Sequence, residues 1–322
     1  MKPSDSNRVH SLAYAQRMNK VLDHIDRHLD QALDLPVLAE VAHFSAFHFH
    51  RLFAAWTGET LGDYLRRRRL EVAAVHLANN PRRPVLDVAL AVGFGSGEAF
   101  ARAFKLRFGC TPSAWREQTP QRWADELQAV RAVARDSNLG QADSKPGQAA
   151  SGPFNHPENS SNQEPSMEVK LNTLPGARVA YLRHTGPYGP SVGRFWAETF
   201  FPWRAAQGLG HAPCYGIGHD DPSVGDPAKF RYDACVEVPA DYVAKSPAGI
   251  TDLPGGRYAV AAFYGTGADI SLAWTEFLRD WLPASGLEPD GRPCYEYYPA
   301  DGRYDPATGA FECQLCLPVR AR

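Results

Sequence analysis

Two groups of residues in this chain have the types and spacing to do chemistry. The first is a skeleton that occurs twice, Phe49-His50-Arg51-Leu52-Phe53 and Phe100-Ala101-Arg102-Ala103-Phe104. An arginine presented from a helix can donate two parallel hydrogen bonds to a guanine edge. The second is Glu296, set among Tyr295, Tyr297 and Tyr298. A carboxylate beside aromatic rings suits an organic cation, because ring faces attract positive charge and a low dielectric strengthens the charge pair. Alternation along a strand puts Glu296 and Tyr298 on one face and Tyr295 and Tyr297 on the other. Cys313 and Cys316 have the spacing of a metal or redox pair. Their strand-like setting turns the two thiols to opposite sides, so no metal, cofactor or catalytic residue is assigned.

The arginine skeletons need helices to hold them. Leu35–Gly58 and Pro84–Gly109 each read as a short apolar helix with a small residue mid-way (Ala39, Ala89), a break, and a second helix. Ser45 and Ser96 are placed to cap the second helices, and Gly58 and Gly109 to end them. Helical spacing turns Phe49, Phe53, Phe100 and Phe104 inward to the core. Two helix-turn-helix units therefore stand in series. A connector from Leu61 to Ala78 carries Arg66-Arg67-Arg68-Arg69, read as a solvent-facing run with one or two phosphate contacts. An amphipathic helix over about Leu12 to Leu29 comes before. A short helix starting at Pro112 closes the module.

Composition divides the rest. Residues 8–118 hold 15 Lys and Arg against 11 Asp and Glu, whereas residues 167–322 hold 14 against 18. The mildly basic part is the one that carries the paired helices, as phosphate contact requires. Ser137–Ser166 is rich in Ser, Asn, Gln, Gly and Pro, a composition that cannot bury enough surface to fold. The expected boundaries are a helical domain at 8–118, a flexible linker at 119–166 with a helix possible at its start, and a second domain at 167–322. A linker this long argues against a rigid lever between the domains. No run of about 18 apolar residues spans a membrane. The first residues lack the apolar core of a signal peptide, so the cytoplasm, at the nucleoid, is the expected location.

The second domain contains a repeat. Leu174-Pro175-Gly176 returns as Leu253-Pro254-Gly255, Trp196 and Trp203 as Trp274 and Trp281, and Pro213-Cys214-Tyr215 as Pro293-Cys294-Tyr295. Each copy reads strand, helix, strand, strand, so two βαββ units are expected about a pseudo-twofold axis with one groove between them. The repeat breaks its own symmetry at Glu296, whose counterpart is Gly216.

These residues carry resemblances. The order Ser45-x3-Phe49-x-Arg51-x-Phe53-x4-Gly58, then Asp87-Val88-Ala89-x3-Gly93-Phe94-x-Ser96-x3-Phe100-x-Arg102-x-Phe104-Lys105-x2-Phe108-Gly109-x-Thr111-Pro112, resembles the AraC/XylS family of bacterial transcription regulators. The resemblance implies seven helices that place two reading helices in successive major-groove segments, roughly 34 Å apart. It carries DNA contact to Phe47, His50 and Arg51, and to Gly97, Glu98, Ala99, Arg102 and Lys105. Glu98 stands where relatives often carry glutamine; it would accept from cytosine but repel phosphate.

The second domain resembles the GyrI-like (BmrR-type) effector-binding family through Arg183–Gly189, Tyr215–Pro222, Arg231–Cys235 and Tyr295–Pro299. That resemblance implies a ligand groove around Glu296, lined by Tyr188, Trp196, Tyr215, Trp274 and Tyr298. The expected fold is multidomain, an all-α double helix-turn-helix domain followed by an α+β domain. The expected function is a sequence-specific DNA-binding regulator whose second domain takes a small cationic or amphipathic effector. Its expected partners are double-stranded DNA, that effector and RNA polymerase. Two alternatives stay open, a second domain that hydrolyses a small compound with Glu296 as base, or one that sequesters another protein.

Overall fold

The structure is a computed structural model and describes residues 5–44, 46–142 and 167–321. Among these, seven helices precede the first strand: α1 (Asp5–Arg27), α2 (Leu35–Val41), α3 (Ala46–Thr57), α4 (Leu61–Asn79), α5 (Val85–Ala91), α6 (Gly97–Phe108) and α7 (Pro112–Ala142). Local chemistry sets their ends. Asp34, Thr60 and Ser96 accept from Val37 N, Asp63 N and Ala99 N, each at 3.2 Å, which satisfies N–H groups a helix start leaves open. Gly58 and Gly109 end α3 and α6 at φ of 73° and 76°, a left-handed step glycine takes without strain. Ser45, expected to cap α3, lies outside the described residues.

One helix carries both helix-turn-helix units. Near its start α4 gives Leu61 and Tyr64 to a core with Met18, Ile25, Leu38, Phe49 and Phe53. Further on it gives Leu70, Ala74 and Leu77 to a core with Val88, Phe100 and Phe104. The aromatic skeletons thus face inward, as their spacing requires. The closing helix is not short. α7 continues through Pro120 to Ala142, so the stretch expected as linker from residue 119 is helical for its first part. Charge holds it there: Arg279 pairs with Glu126 at 2.9 Å and Arg131 with Glu276 at 3.1 Å, tying α7 to the second domain. The rest of the expected linker lies outside the described residues.

The second domain is built from β1 (Val169–Leu174), β2 (Ala177–Thr185), α8 (Pro190–Phe195), α9 (Phe201–Ala206), β3 (Cys214–Gly218), β4 (Arg231–Glu237), β5 (Gly249–Leu253), β6 (Gly256–Gly265), α10 (Asp269–Glu276), α11 (Leu282–Ala284), β7 (Leu287–Pro289), β8 (Tyr295–Tyr298), β9 (Tyr304–Asp305) and β10 (Ala310–Ala321). A π-helical turn joins α8 to α9 (Trp196–Phe200) and another joins α10 to α11 (Phe277–Trp281). The strands form one antiparallel sheet in the order β1-β6-β10-β8-β3-β4-β2-β5. Each half lends its first strand to the other, β1 pairing with β6 and β5 with β2, so the repeat is ββαββ with exchanged outer strands.

Two residues join β1 at one end of this order to β2 near the other end, so the sheet must curl. The curl encloses Val179, Tyr181, Tyr215, Ile217, Cys235, Tyr258, Tyr295 and Cys316. The two helical segments cover the outer face over Ala180, Tyr232, Ala234, Val236, Leu315 and Leu317. Cys313 packs on the outer face and Cys316 on the inner one. Among the described residues, no helix is long and apolar enough to cross a membrane.

Candidate functional sites

The reading helices present their polar residues outward. His50 and Arg51 on α3, and Glu98, Arg102 and Lys105 on α6, are exposed, while Gly97 and Ala99 are half-buried. The Phe47 side chain lies outside the described residues. Arg102 is 77% exposed and sits 3.9 Å from Glu98, close enough for the acid to offset part of its charge. Both helices abut α4, which fixes their relative placement.

The arginine run departs from expectation. Only Arg66 of the four is exposed. Arg67 forks between Glu59 and Glu71 at 2.7 and 3.0 Å. Arg68 is buried against Asp26, Glu71 and Asp220. Arg69 donates to Leu29 O and Gln31 O at 3.0 and 2.8 Å. The solvent-facing reading of Arg67 and Arg68 is therefore corrected: Glu59 and Glu71 of the helical module take up Arg67, and the second domain packs over Arg68 and supplies Asp220. The domains are not held by the linker alone.

Glu296 lies at the centre of the sheet. Directly opposite it across the β3–β8 ladder is Gly216, which is also its repeat counterpart, so the pseudo-twofold axis passes between the two. A Cβ on Gly216 would overlap the Glu296 carboxylate and the Tyr232 hydroxyl. The axis has room for one side chain, and this is why the repeat is asymmetric there. The carboxylate accepts from Tyr232 Oη at 2.6 Å, Tyr298 Oη at 2.8 Å and Trp274 Nε1 at 3.0 Å. Trp196 Nε1 donates to Tyr232 Oη at 3.2 Å, and its ring lies 5.1 Å from that of Tyr298. Trp196 and Trp274 come from the two symmetry-related helices, each at a π-turn or just before one. Such turns are rare and frequent at functional sites. Burial raises the Glu296 carboxyl pKa above its ordinary value, against the lowering effect of its three donors. Among the described residues no Lys, Arg or His pairs with it, so its charge meets only neutral donors.

The structure thus brings Glu296, Tyr298, Trp196 and Trp274 together, keeps Tyr188 in the same apolar cluster at its edge, and sets Tyr215 apart. Tyr215 faces the opposite side of the sheet, because it pairs with Tyr297 in a register that sets Gly216 against Glu296. Its hydroxyl donates to Glu237 at 2.8 Å. Tyr188 is one ring away, 6.3 Å from Tyr232. Its hydroxyl donates to Arg231 O at 2.9 Å and accepts from Asp220 N at 3.1 Å, so it pins the β3–β4 loop. The sequence reading missed Tyr232. Its signal was present in the alternation of Arg231-Tyr232-Asp233, which puts the tyrosine on one face and the two charges on the other.

Those charges reach the helical module. Arg231 pairs with Asp26 of α1 at 2.6 Å and with Asp220 at 3.0 Å. Asp233 holds Arg183 at 2.6 Å and His219 at 2.7 Å, and Arg183 reaches Asp23 of α1 at 2.8 Å. Tyr181 donates to Asp23 at 2.7 Å. Paired arginines hold Asp26 well below the usual carboxylate range and lower Asp220 to about 2, each against the raising effect of burial. Two cavities of about 570 and 410 Å³ are lined both by the helical module and by the β3–β4 loop, and share Trp115, Ser223 and Val224.

A helical module with two presented arginine helices, followed by a curled sheet built around one carboxylate, defines a DNA-binding regulator with a small-molecule-binding domain. Residues 38–118 match the helix-turn-helix domain family, and residues 167–320 match the GyrI-like small molecule binding domain family. The chain belongs to the AraC-type helix-turn-helix transcription regulators and carries a GyrI-like domain. It is 36% identical over 107 residues to the regulatory protein SoxS of Salmonella typhimurium, covering 33% of this chain and 99% of that one. It is 27% identical over 313 residues to the transcriptional regulator Rob of the same organism, covering 92% and 95%. It is 28% identical over 310 residues to the right origin-binding protein of Escherichia coli K12, again covering 92% and 95%.

Proposed function

We propose that this regulator reads its DNA site with Phe47, His50 and Arg51 of α3 and Gly97, Glu98, Ala99, Arg102 and Lys105 of α6. Its effector is a small organic cation or cationic amphiphile that binds at Glu296 between Trp196 and Trp274, with Tyr298 beside them. As a transcription regulator it acts with RNA polymerase, in the cytoplasm. One observation carries the effector reading: Glu296 is a buried acid with three neutral donors and, among the described residues, no cation. A carboxylate in such a place gains most from a positive guest, because burial penalises its charge and the flanking indoles attract a cation.

Titration of the full-length protein with tetraphenylphosphonium, followed by tryptophan fluorescence, tests this. Glu296→Gln is expected to weaken binding by about ten-fold, about 1.4 kcal/mol, and to leave an uncharged analogue of the same shape unaffected. Equal weakening of both would overturn the charge argument. A cation needs the ionised acid and burial raises the Glu296 pKa, so wild-type affinity should fall on acidification at a pH above that of an ordinary glutamate. Release of p-nitrophenol from p-nitrophenyl acetate by wild type, lost in Glu296→Gln, would favour the hydrolase alternative.

A further inference from the structure

Strand β4 has two working faces. On the outer face, Tyr232 gives its hydroxyl to Glu296. On the inner face, the residues on either side of it, Arg231 and Asp233, hold the domain junction. Arg231 alone donates to Asp220 from N at 2.7 Å, Nε at 3.1 Å and Nη2 at 3.0 Å, and to Asp26 from Nη1 at 2.6 Å. Arg68 of α4 joins the same two acids. Asp233 continues the row through Arg183 to Asp23. The Arg231, Asp220 and Arg68 side chains are 4%, 6% and 6% exposed.

Ion pairs this dry depend on close geometry, since desolvation opposes them and only good contacts offset it. Coulomb energy also changes steeply with distance where the dielectric is low. A small displacement of β4 is therefore felt at the junction. The Glu296 carboxylate is already engaged: Oε2 accepts from Tyr232 and Tyr298, and Oε1 from Trp274. A cation that reaches Oε2 must share it with Tyr232 or displace that hydroxyl. Tyr188 ties the same segment from the other direction, bonding Arg231 O and Asp220 N.

We propose that β4 transmits occupancy of the Glu296 site to the junction: a cation that draws the carboxylate from Tyr232 loosens the Arg231–Asp26–Asp220–Arg68 cluster and undocks α1 and α4 from the sheet. This rests on the reading of Glu296 as the effector site and adds how that site is regulated. Linkage makes the coupling reciprocal, so a weakened junction must raise affinity for the cation.

The test uses the full chain and hydrogen–deuterium exchange of peptides from α1 and α4. Tetraphenylphosphonium should speed exchange in both helices. Tyr232→Phe, with no ligand, should do the same in part. Asp26→Asn, a near-isosteric change outside the effector site, should bind the cation about five-fold or more tightly. The proposal is overturned if Tyr232→Phe leaves α1 and α4 at wild-type exchange, or if Asp26→Asn binds the cation as wild type does. Failure of the wild type to bind the cation would sink the effector reading instead, and the Tyr232→Phe exchange then decides the coupling alone.

Discussion

Arg102 and Arg68 are the same residue type put to opposite uses. Arg102 stands on α6 at 77% exposure with one loose partner, Glu98. Arg68 stands on α4 at 6% exposure and touches Asp26, Glu71 and Asp220. Water around Arg102 screens its pairing, so the guanidinium's donors stay uncommitted. Around Arg68 water is excluded, so its donors are committed and its role is to fix geometry. Exposure thus separates a cation available for recognition from one that holds two domains in register, a distinction that residue identity does not make.

The contrast can be broken at its buried end first. Arg231→Ala leaves Asp26 and Asp220 to share Arg68 with one cation fewer between them, and chemical denaturation should show a loss of about 3 kcal/mol. A loss below about 1 kcal/mol would mean the junction is wetter than its geometry indicates. At the exposed end, Arg102→Ala should reduce specific DNA affinity by about 1–3 kcal/mol in a binding titration and leave the melting temperature in place. Unchanged affinity would remove α6 from the interface. The smallest effect is expected at Glu98→Gln. Stability should stay within about 0.5 kcal/mol of wild type, while the slope of DNA affinity against salt steepens, because no acid at position 98 then repels the phosphates.

Much of the helical module was legible because its signals are local. The inward Phe49, Phe53, Phe100 and Phe104, the cap at Ser96 and the closing glycines follow from spacing and backbone preference alone. The repeat, and the oddity of Glu296 against Gly216, were legible too. Tyr215 was placed in the groove by the family resemblance, although the alternation that sets Tyr295 opposite Glu296 also turns its repeat counterpart Tyr215 away; the β3–β8 register bears out the alternation. Tyr188 stands at the edge of the cluster, and the sequence did not show that its hydroxyl is bound to backbone 32 and 43 residues away. Arg68 looked exposed because nothing near it in sequence shows that Asp220 arrives from a strand loop 152 residues later, whereas the partners of Arg67, Glu59 and Glu71, stand close by in the chain.

By itself the sequence determined two helix-turn-helix units, a duplicated second domain and one unmatched acid, since periodicity, caps and self-similarity are written in neighbouring residues. Only the tertiary structure decided that the duplicate halves exchange their outer strands and that the axis between them admits a single carboxylate. It also decided that the other face of β4 carries the charges holding the two domains. The reason is that burial and pairing belong to surfaces brought together from distant parts of the chain, and no local pattern records which surfaces will meet.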